Sequence, residues 1–256
     1  MIGKVTICAL ASGSNGNCYY IGNDTCAILV DCGLSASNLL VRLTETGLYT
    51  SGIKGILITH EHNDHCRGVR PAAKRLGNIP VYTTKNTYLE IPAKGRPHNV
   101  AWFERDVPFT IDGFEIYPFT KRHDAVDACS FRIVCNNKHI GVMTDIGSVC
   151  ENVEEHFSKC HAVFLESNYD TDMLWSGSYP LYLKRRIASD NGHLSNDQAS
   201  QLVESFASPD LEVIFLSHLS NENNTSEKAM DAFKTLSLPC LIKSTSRFGP
   251  AEVYRL

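Results

Sequence analysis

The stretch ILITHEHNDHCRG at 56–68 sets His60, His62, Asp64 and His65 within six positions, directly after the apolar, β-rich run IKGILIT. Side chains alternate along a strand, so His60 and His62 can point the same way as the strand runs out into a loop. Asp64 and His65 then open a helix and can reach a second point close by. Imidazole together with carboxylate suits zinc, manganese or iron. Four ligand-type residues in six positions at the end of a buried strand are not a structural accident.

The rest of the chain supplies such strands. KVTICAL, CYYIG and CAILVD read as three consecutive strands, with ASGSNGN as a turn between the first two. SASNLLVRLTETG reads as a helix capped by Ser35 or Ser37 and closed by Gly47, and DHCRGVRPAAKRLG as another closed by Gly77. A β-rich middle follows (PVYTT, NVAWF, FTIDGFEIYPFT and CSFRIVCNNKHIGVMTD), with a hairpin turn expected at Asn136-Asn137. The second half repeats the early rhythm: helices near 150–160, 181–188, 196–207 and 221–236, strands HAVFLES and LEVIFLS, and closing strands CLIKSTS and EVYRL. No linker or low-complexity block interrupts it, so one domain over 1–256 is expected. Strands in two batches, each with its own helices, predict an α+β, four-layer fold: two mixed sheets face to face with helices outside.

With these motifs in place, the chain resembles the metallo-β-lactamase superfamily, whose members share an αβ/βα sandwich with one or two metal ions between the sheets. The resemblance implies three further ligands, each after an apolar strand: His123 in TKRHDA, Asp145 in GVMTDIG and His218 in VIFLSHLS. It implies two divalent ions per chain, zinc or manganese, with iron also compatible. One would take His60, His62, His123 and Asp145; the other Asp64, His65, Asp145 and His218. His98, His139, His156 and His161 lie outside any motif, and Cys66 is either a thiol behind the ligands or simply a small buried residue.

The tetrapeptide His-Leu-Ser-Asn occurs twice, at 193–196 and 218–221. The second copy carries the implied ligand His218. The first stands where tRNase Z-type nucleases have a GHS-like element, and Glu166 in FLESNYD stands where they have an earlier glutamate. The resemblance therefore implies catalytic roles for Asp64, Glu166 and His193. The ions would supply a bridging hydroxide to attack phosphorus, and His193, oriented by Glu166, would give a proton to the departing oxygen. ASGSNGNCYYIG, DCGLS, ESNYDTDML, RRIASDNGHLSN and LSHLSNENN are similar to the YycJ/WalJ-type subfamily, which implies 5′-to-3′ exonuclease action on duplex DNA.

Independent support for a nucleic-acid partner is thinner. The formal net charge of −4 gives no global basic field. Arg67 and Arg70, Lys121-Arg122 and Lys184-Arg185-Arg186 can hold backbone phosphates or be solvated helix-face charges, and Tyr169, Trp175 and Tyr179 can stack on bases or fill the core. A small-molecule (cyclic) phosphodiesterase needs the same ligands. A thioester or lactam hydrolase would have little use for the Glu166–His193 pair, and a metal-stabilised binding module is a non-enzymatic alternative. The ten cysteines are scattered singly with no CxxC pair, which with no secretory signal and no stretch of transmembrane length predicts reduced thiols, no membrane partner and a cytoplasmic protein.

Overall fold

The computed structural model describes residues 3–238 and 240–256. The first batch of strands is β1 (Thr6–Ala11), β2 (Cys18–Gly22), β3 (Ala27–Val30), β4 (Ile53–Leu57), β5 (Val81–Thr83) and β6 (Val100–Trp102). The second is β7 (Phe109–Ile111), β8 (Phe114–Thr120), β9 (Cys129–Cys135), β10 (Lys138–Met143), β11 (Ala162–Glu166), β12 (Val213–Ser217) and β13 (Leu241–Ser244), and β14 (Tyr254–Arg255) closes the chain. Two seven-stranded sheets result, ordered β14-β1-β2-β3-β4-β5-β6 and β13-β12-β11-β10-β9-β8-β7. Each is mixed: β3 to β6 run parallel, as do β10 to β13, and the remaining neighbours are antiparallel. The parallel segments need crossovers, and the helices α1 (Ala36–Glu45), α3 (Val69–Arg75), α5 (Glu151–Phe157) and α8 (Asn196–Phe206) occur there.

Alternation along the strands produces three apolar layers. Between the sheets, Ile7, Tyr19, Ile21 and Val30 meet Phe131, Ile133, Phe164 and Phe215. Leu39, Leu43, Val69 and Ala72 cover the outer face of the first sheet, packing on Leu29, Ile56 and Ile58. Val153, Phe157, Leu202 and Val203 do the same for the second, against Val163, Leu165 and Ile214. This is the four-layer αβ/βα sandwich expected from the sequence.

Several local expectations shift. Asn136 and Asn137 both adopt positive φ, 49° and 61°, as a two-residue hairpin turn of this type requires. FTIDGFEIYPFT is two strands, because Asp112-Gly113 makes a second such turn with φ of 41° and 88°. The helix expected after the histidine cluster is broken at Gly68 into α2 (Asn63–Cys66) and α3. Two short helices were not foreseen: α4 (Lys85–Glu90), capped by Thr84, and α6 (Thr171–Ser176), capped by Asp170. Six residues carry too little apolar periodicity to declare a helix. The remaining helices are α7 (Leu181–Ile187) and α9 (Ser226–Asp231), the latter much shorter than the 221–236 span expected.

All ten cysteines are free thiols, as expected. Among the described residues, no helix is long and apolar enough to cross a membrane.

Gly33 fixes the entry to the histidine cluster. A Cβ there would lie 1.7 Å from the Asp64 carbonyl oxygen, so Gly33→Ala must push the two loops apart. The expected cost is about 1–3 kcal/mol, with a parallel loss of metal affinity because Asp64 moves. Thermal melting with metal titration checks this; wild-type values for both would contradict it.

Candidate metal centre

Strand ends bring the sequence-predicted residues to one edge of the sandwich. His60 lies three residues beyond β4, His62 caps α2, and Asp64 and His65 sit within α2. His123 follows β8, Asp145 follows β10, Glu166 ends β11, and His218 directly follows β12. His193 lies in the loop between α7 and α8. Asp145 and His218 take left-handed backbone conformations, with φ of 56° and 57°, as does Asp31 at 60°. Such conformations cost on the order of 1 kcal/mol each in non-glycine residues and persist where the surroundings impose them.

Inward-facing atoms form two groups. His60 Nε2 lies 3.0 Å from His62 Nδ1, which lies 3.3 Å from His123 Nε2. His65 Nε2 stands 3.1 Å from Asp145 Oδ2 and 3.5 Å from Asp64 Oδ2, and His218 Nε2 lies 3.6 Å from the same Asp64 oxygen. Ligands about 2.0–2.1 Å from a tetrahedral ion are roughly 3.3 Å from one another. Among the described residues, the buried atoms Asp145 Oδ2 and His218 Nε2 have no hydrogen-bond partner, a costly situation that a cation relieves. The donor set thus fits divalent metal.

Behind these atoms, four imidazoles are pinned through Nδ1, leaving Nε2 for the centre. His65 donates to Asp31 Oδ2 at 2.7 Å, and His60 donates to Thr59 Oγ1 at 2.9 Å. The Thr59 hydroxyl in turn donates to Asp31 Oδ2 at 2.8 Å. His123 donates to the Gly192 carbonyl at 3.1 Å and His218 to Glu166 Oε1 at 2.9 Å. His62 differs, presenting Nδ1 itself. Asn17 Nδ2 lies 3.0 Å from His65 Nε2 and donates to Asp64 Oδ2 at 3.3 Å.

Glu166 serves both His-Leu-Ser-Asn copies. Its buried Oε1 accepts from His193 Nδ1 at 2.8 Å as well as from His218 Nδ1, while Oε2 accepts from the Ile146 and Leu194 amides at 2.6 and 3.2 Å. Burial alone would raise its pKa, but the charge of His193 and the two imidazole hydrogen bonds outweigh it and hold the carboxyl at about 2. The serines that follow have local tasks: Ser195 forms a capping box with Gln198 at the start of α8, and Ser220 Oγ accepts from the Asn223 amide.

Sequence reasoning missed Asp31, Thr59, Asn17 and the second partner of Glu166. Most of the basic side chains left open between phosphate contacts and solvated charges are engaged within the protein. Lys121 is buried and donates to Thr144 O, and Lys184 donates to the carbonyls of Trp175 and Gly177. Arg67 ties Gly33 O to Asn15 O, Arg70 binds Lys94 O, and Arg186 pairs with Asp124 at 2.6 Å. These cations brace the loops around the centre. Tyr169 is buried, whereas Trp175 is exposed. Cys66 is a buried thiol donating to Glu61 O, and burial pushes its pKa up to about 12. His139 and His156 gather around the Arg132 guanidinium, away from the centre.

Electrostatics at the centre give a test. Burial lowers the pKa of His218, but the carboxylates of Asp145, Asp64 and Glu166 overcome it and raise it to about 10; His65 is raised likewise by Asp145, Asp31 and Asp64. Stripped of metal, the folded protein therefore binds protons that the unfolded chain releases above about pH 6.5. Its stability should fall between about pH 6.5 and 10. Metal needs neutral imidazoles, so the loaded protein should instead lose stability as the pH drops through about 6.5. Urea unfolding with chelator and with metal reads both slopes; the same sign in both would refute this account.

Residues 27–218 match the family described as the Beta-lactamase superfamily domain. The chain is 33% identical over 228 residues to the exodeoxyribonuclease YycJ of Bacillus anthracis, covering 86% of this chain and 84% of that one. It is 34% identical to the exodeoxyribonuclease WalJ of Streptococcus pneumoniae, with 86% and 83% covered. The metallo-β-lactamase fold protein YhfI of Bacillus subtilis superposes with a TM-score of 0.75 at 17% identity, covering 99% of this chain and all of that one.

Proposed function

The chain belongs to the metallo-β-lactamase superfamily, and from that premise we propose that it is a dinuclear metal-dependent exodeoxyribonuclease working 5′ to 3′ on duplex DNA. The observation that carries the reading is the Glu166 carboxylate, whose one oxygen takes hydrogen bonds from His193 and His218. It ties a partly exposed imidazole to the floor of a metal-ligand cluster. Support for DNA comes from the two exodeoxyribonucleases that the chain resembles over most of its length.

His60, His62, His123 and Asp145 would hold one ion, and Asp64, His65, Asp145 and His218 the other. When bound, the ions supply the nucleophile and neutralise phosphoryl charge, worth several kcal/mol. The protein's own residues do the rest. Asp31 and Thr59 fix the tautomers of His65 and His60, so that each ring offers Nε2 without reorganisation. Glu166, kept ionised, fixes the His193 ring by Nδ1 and leaves Nε2 to carry a proton. His193 is 22% exposed in its side chain, which lets Nε2 meet the leaving 3′ or 5′ oxygen of a bound strand. Asp64 turns His218 and His65 toward the same edge, completing the electrostatic floor of the site.

The test is cleavage of an end-labelled linear duplex by manganese-loaded protein, alongside the same sequence as a closed circle. Stepwise shortening from the 5′ end with an intact circle is expected. Cleavage of the circle at equal rate would remove the exonuclease assignment. Turnover of small phosphodiesters alone would remove DNA as substrate and leave the small-molecule phosphodiesterase.

A further inference from the structure

Beside the residues that follow His218, a cavity of about 180 Å³ opens between the loop after β12, the N-terminal end of α9 and residues 245–248. Its polar lining consists of hydroxyls, amides and one guanidinium, and no carboxylate lines it. Three of the hydroxyls are arranged alike. Ser220 Oγ accepts from the Asn223 amide, Thr225 Oγ1 from the Lys228 amide, and Ser246 Oγ from the Phe248 amide, at 3.2, 3.2 and 3.1 Å. A hydroxyl that accepts from the backbone keeps its own proton to donate. The single cation is Arg247. Its Nη1 is buried and makes no hydrogen bond among the described residues, and its Nη2 reaches only Ser14 Oγ at 3.5 Å. A buried guanidinium nitrogen without a partner is costly, and a guanidinium set among hydroxyls and amides with no carboxylate beside it favours an anion.

The cavity shares a wall with the centre. Ser12, which lines it, accepts the His218 amide at 2.7 Å, and Leu219 and Ser220 follow His218 in the chain. At its rim Phe248 is 82% exposed, the highest value among the large apolar side chains, and the Arg247 guanidinium lies 5.9 Å from its ring centre. Exposed aromatic rings beside cationic groups accept stacked bases or sugars.

We propose that this cavity binds a phosphate group of the substrate other than the one being cleaved, through Arg247 and the hydroxyls of Ser220, Thr225 and Ser246, with Phe248 against the neighbouring nucleoside. The site extends the nuclease reading and rests on it for the polymer, while phosphate binding itself does not depend on that reading. The phosphate is either a 5′-terminal group or an internal backbone phosphate, and the two differ in a simple way: only the first discriminates a phosphorylated from a hydroxyl end.

The experiment measures KM and kcat on linear duplexes with 5′-phosphate and 5′-hydroxyl ends for the metal-loaded wild type, Arg247→Ala, Arg247→Lys and Ser226→Glu. Ser226 is exposed at the first turn of α9, where a glutamate favours the helix and adds a repelling charge to the cavity. KM should rise at least tenfold in Arg247→Ala and Ser226→Glu, kcat should change far less, and Arg247→Lys should recover part of the loss. A rise confined to the phosphorylated end identifies the terminal group; an equal rise on both ends identifies a backbone phosphate. In parallel, inorganic phosphate is titrated into the chelator-stripped protein and the melting temperature followed. Wild type should gain stability that Arg247→Ala and Ser226→Glu lack. Unchanged KM in both variants overturns the proposal, and so does an equal phosphate response in wild type and variants. If no form cuts DNA but the phosphate response is lost in the variants, the nuclease reading falls and the anion site stands.

Discussion

Asp145→Asn should yield a folded protein that no longer holds its metal complement, with DNA cleavage down about 10⁴-fold or more. Asparagine tolerates the left-handed conformation that Asp145 adopts at φ 56°, so the backbone has no reason to rearrange. What changes is charge. Burial works against the Asp145 carboxylate, but His218 and His65 hold its pKa well below the usual carboxylate range. It lies within 3.1–3.9 Å of nitrogens on His65, His218, His123 and His193. An amide there weakens both ion positions at once. Two ions each worth several kcal/mol, at about 1.36 kcal/mol per decade of rate, give the magnitude. Elemental analysis with melting temperature separates metal loss from unfolding. A variant retaining two ions and wild-type cleavage would remove Asp145 from the centre.

His193→Ala should behave differently: full metal content and a fall in kcat on DNA of about 10²–10⁴-fold. Its ring lies in one cluster with Asp145, Glu166 and His218, but its Nδ1 is engaged by Glu166 Oε1 at 2.8 Å rather than left for an ion. The discriminating feature is the leaving group. A nucleoside alkoxide needs a proton to depart, whereas p-nitrophenolate does not, so hydrolysis of bis(p-nitrophenyl) phosphate should fall much less than DNA cleavage. Equal losses on both substrates would assign His193 to shaping the site rather than to proton transfer.

Much of this arrangement was legible before any coordinates. His60, His62, Asp64 and His65 announce themselves by spacing, whereas His123, Asp145 and His218, each after an apolar run, stand out only through the resemblance to the superfamily. What the sequence hides is the layer behind them. Asp31 sits alone in LVDCG, and nothing in its neighbours tells that β3 pairs with β4 so as to bring its carboxylate to His65. Glu166 was visible as a partner for His193, but its bond to His218 depends on β11 and β12 being adjacent and parallel. The basic clusters stayed open between two readings for a related reason. A run such as Lys184-Arg185-Arg186 shows charge, while whether a carbonyl waits within reach is decided by loops far along the chain. Arg247, isolated in STSRFG, carries no such signature and yet, among the described residues, is the cation with an unpartnered buried nitrogen.

Restoring metal to chelator-stripped protein while following duplex cleavage tests the central claim most directly. Cleavage should be absent in the stripped protein and should approach its full rate only as the second equivalent of manganese or zinc binds. Undiminished cleavage by protein verified to be metal-free, or full activity at one equivalent, would contradict a centre built on two ions sharing Asp145.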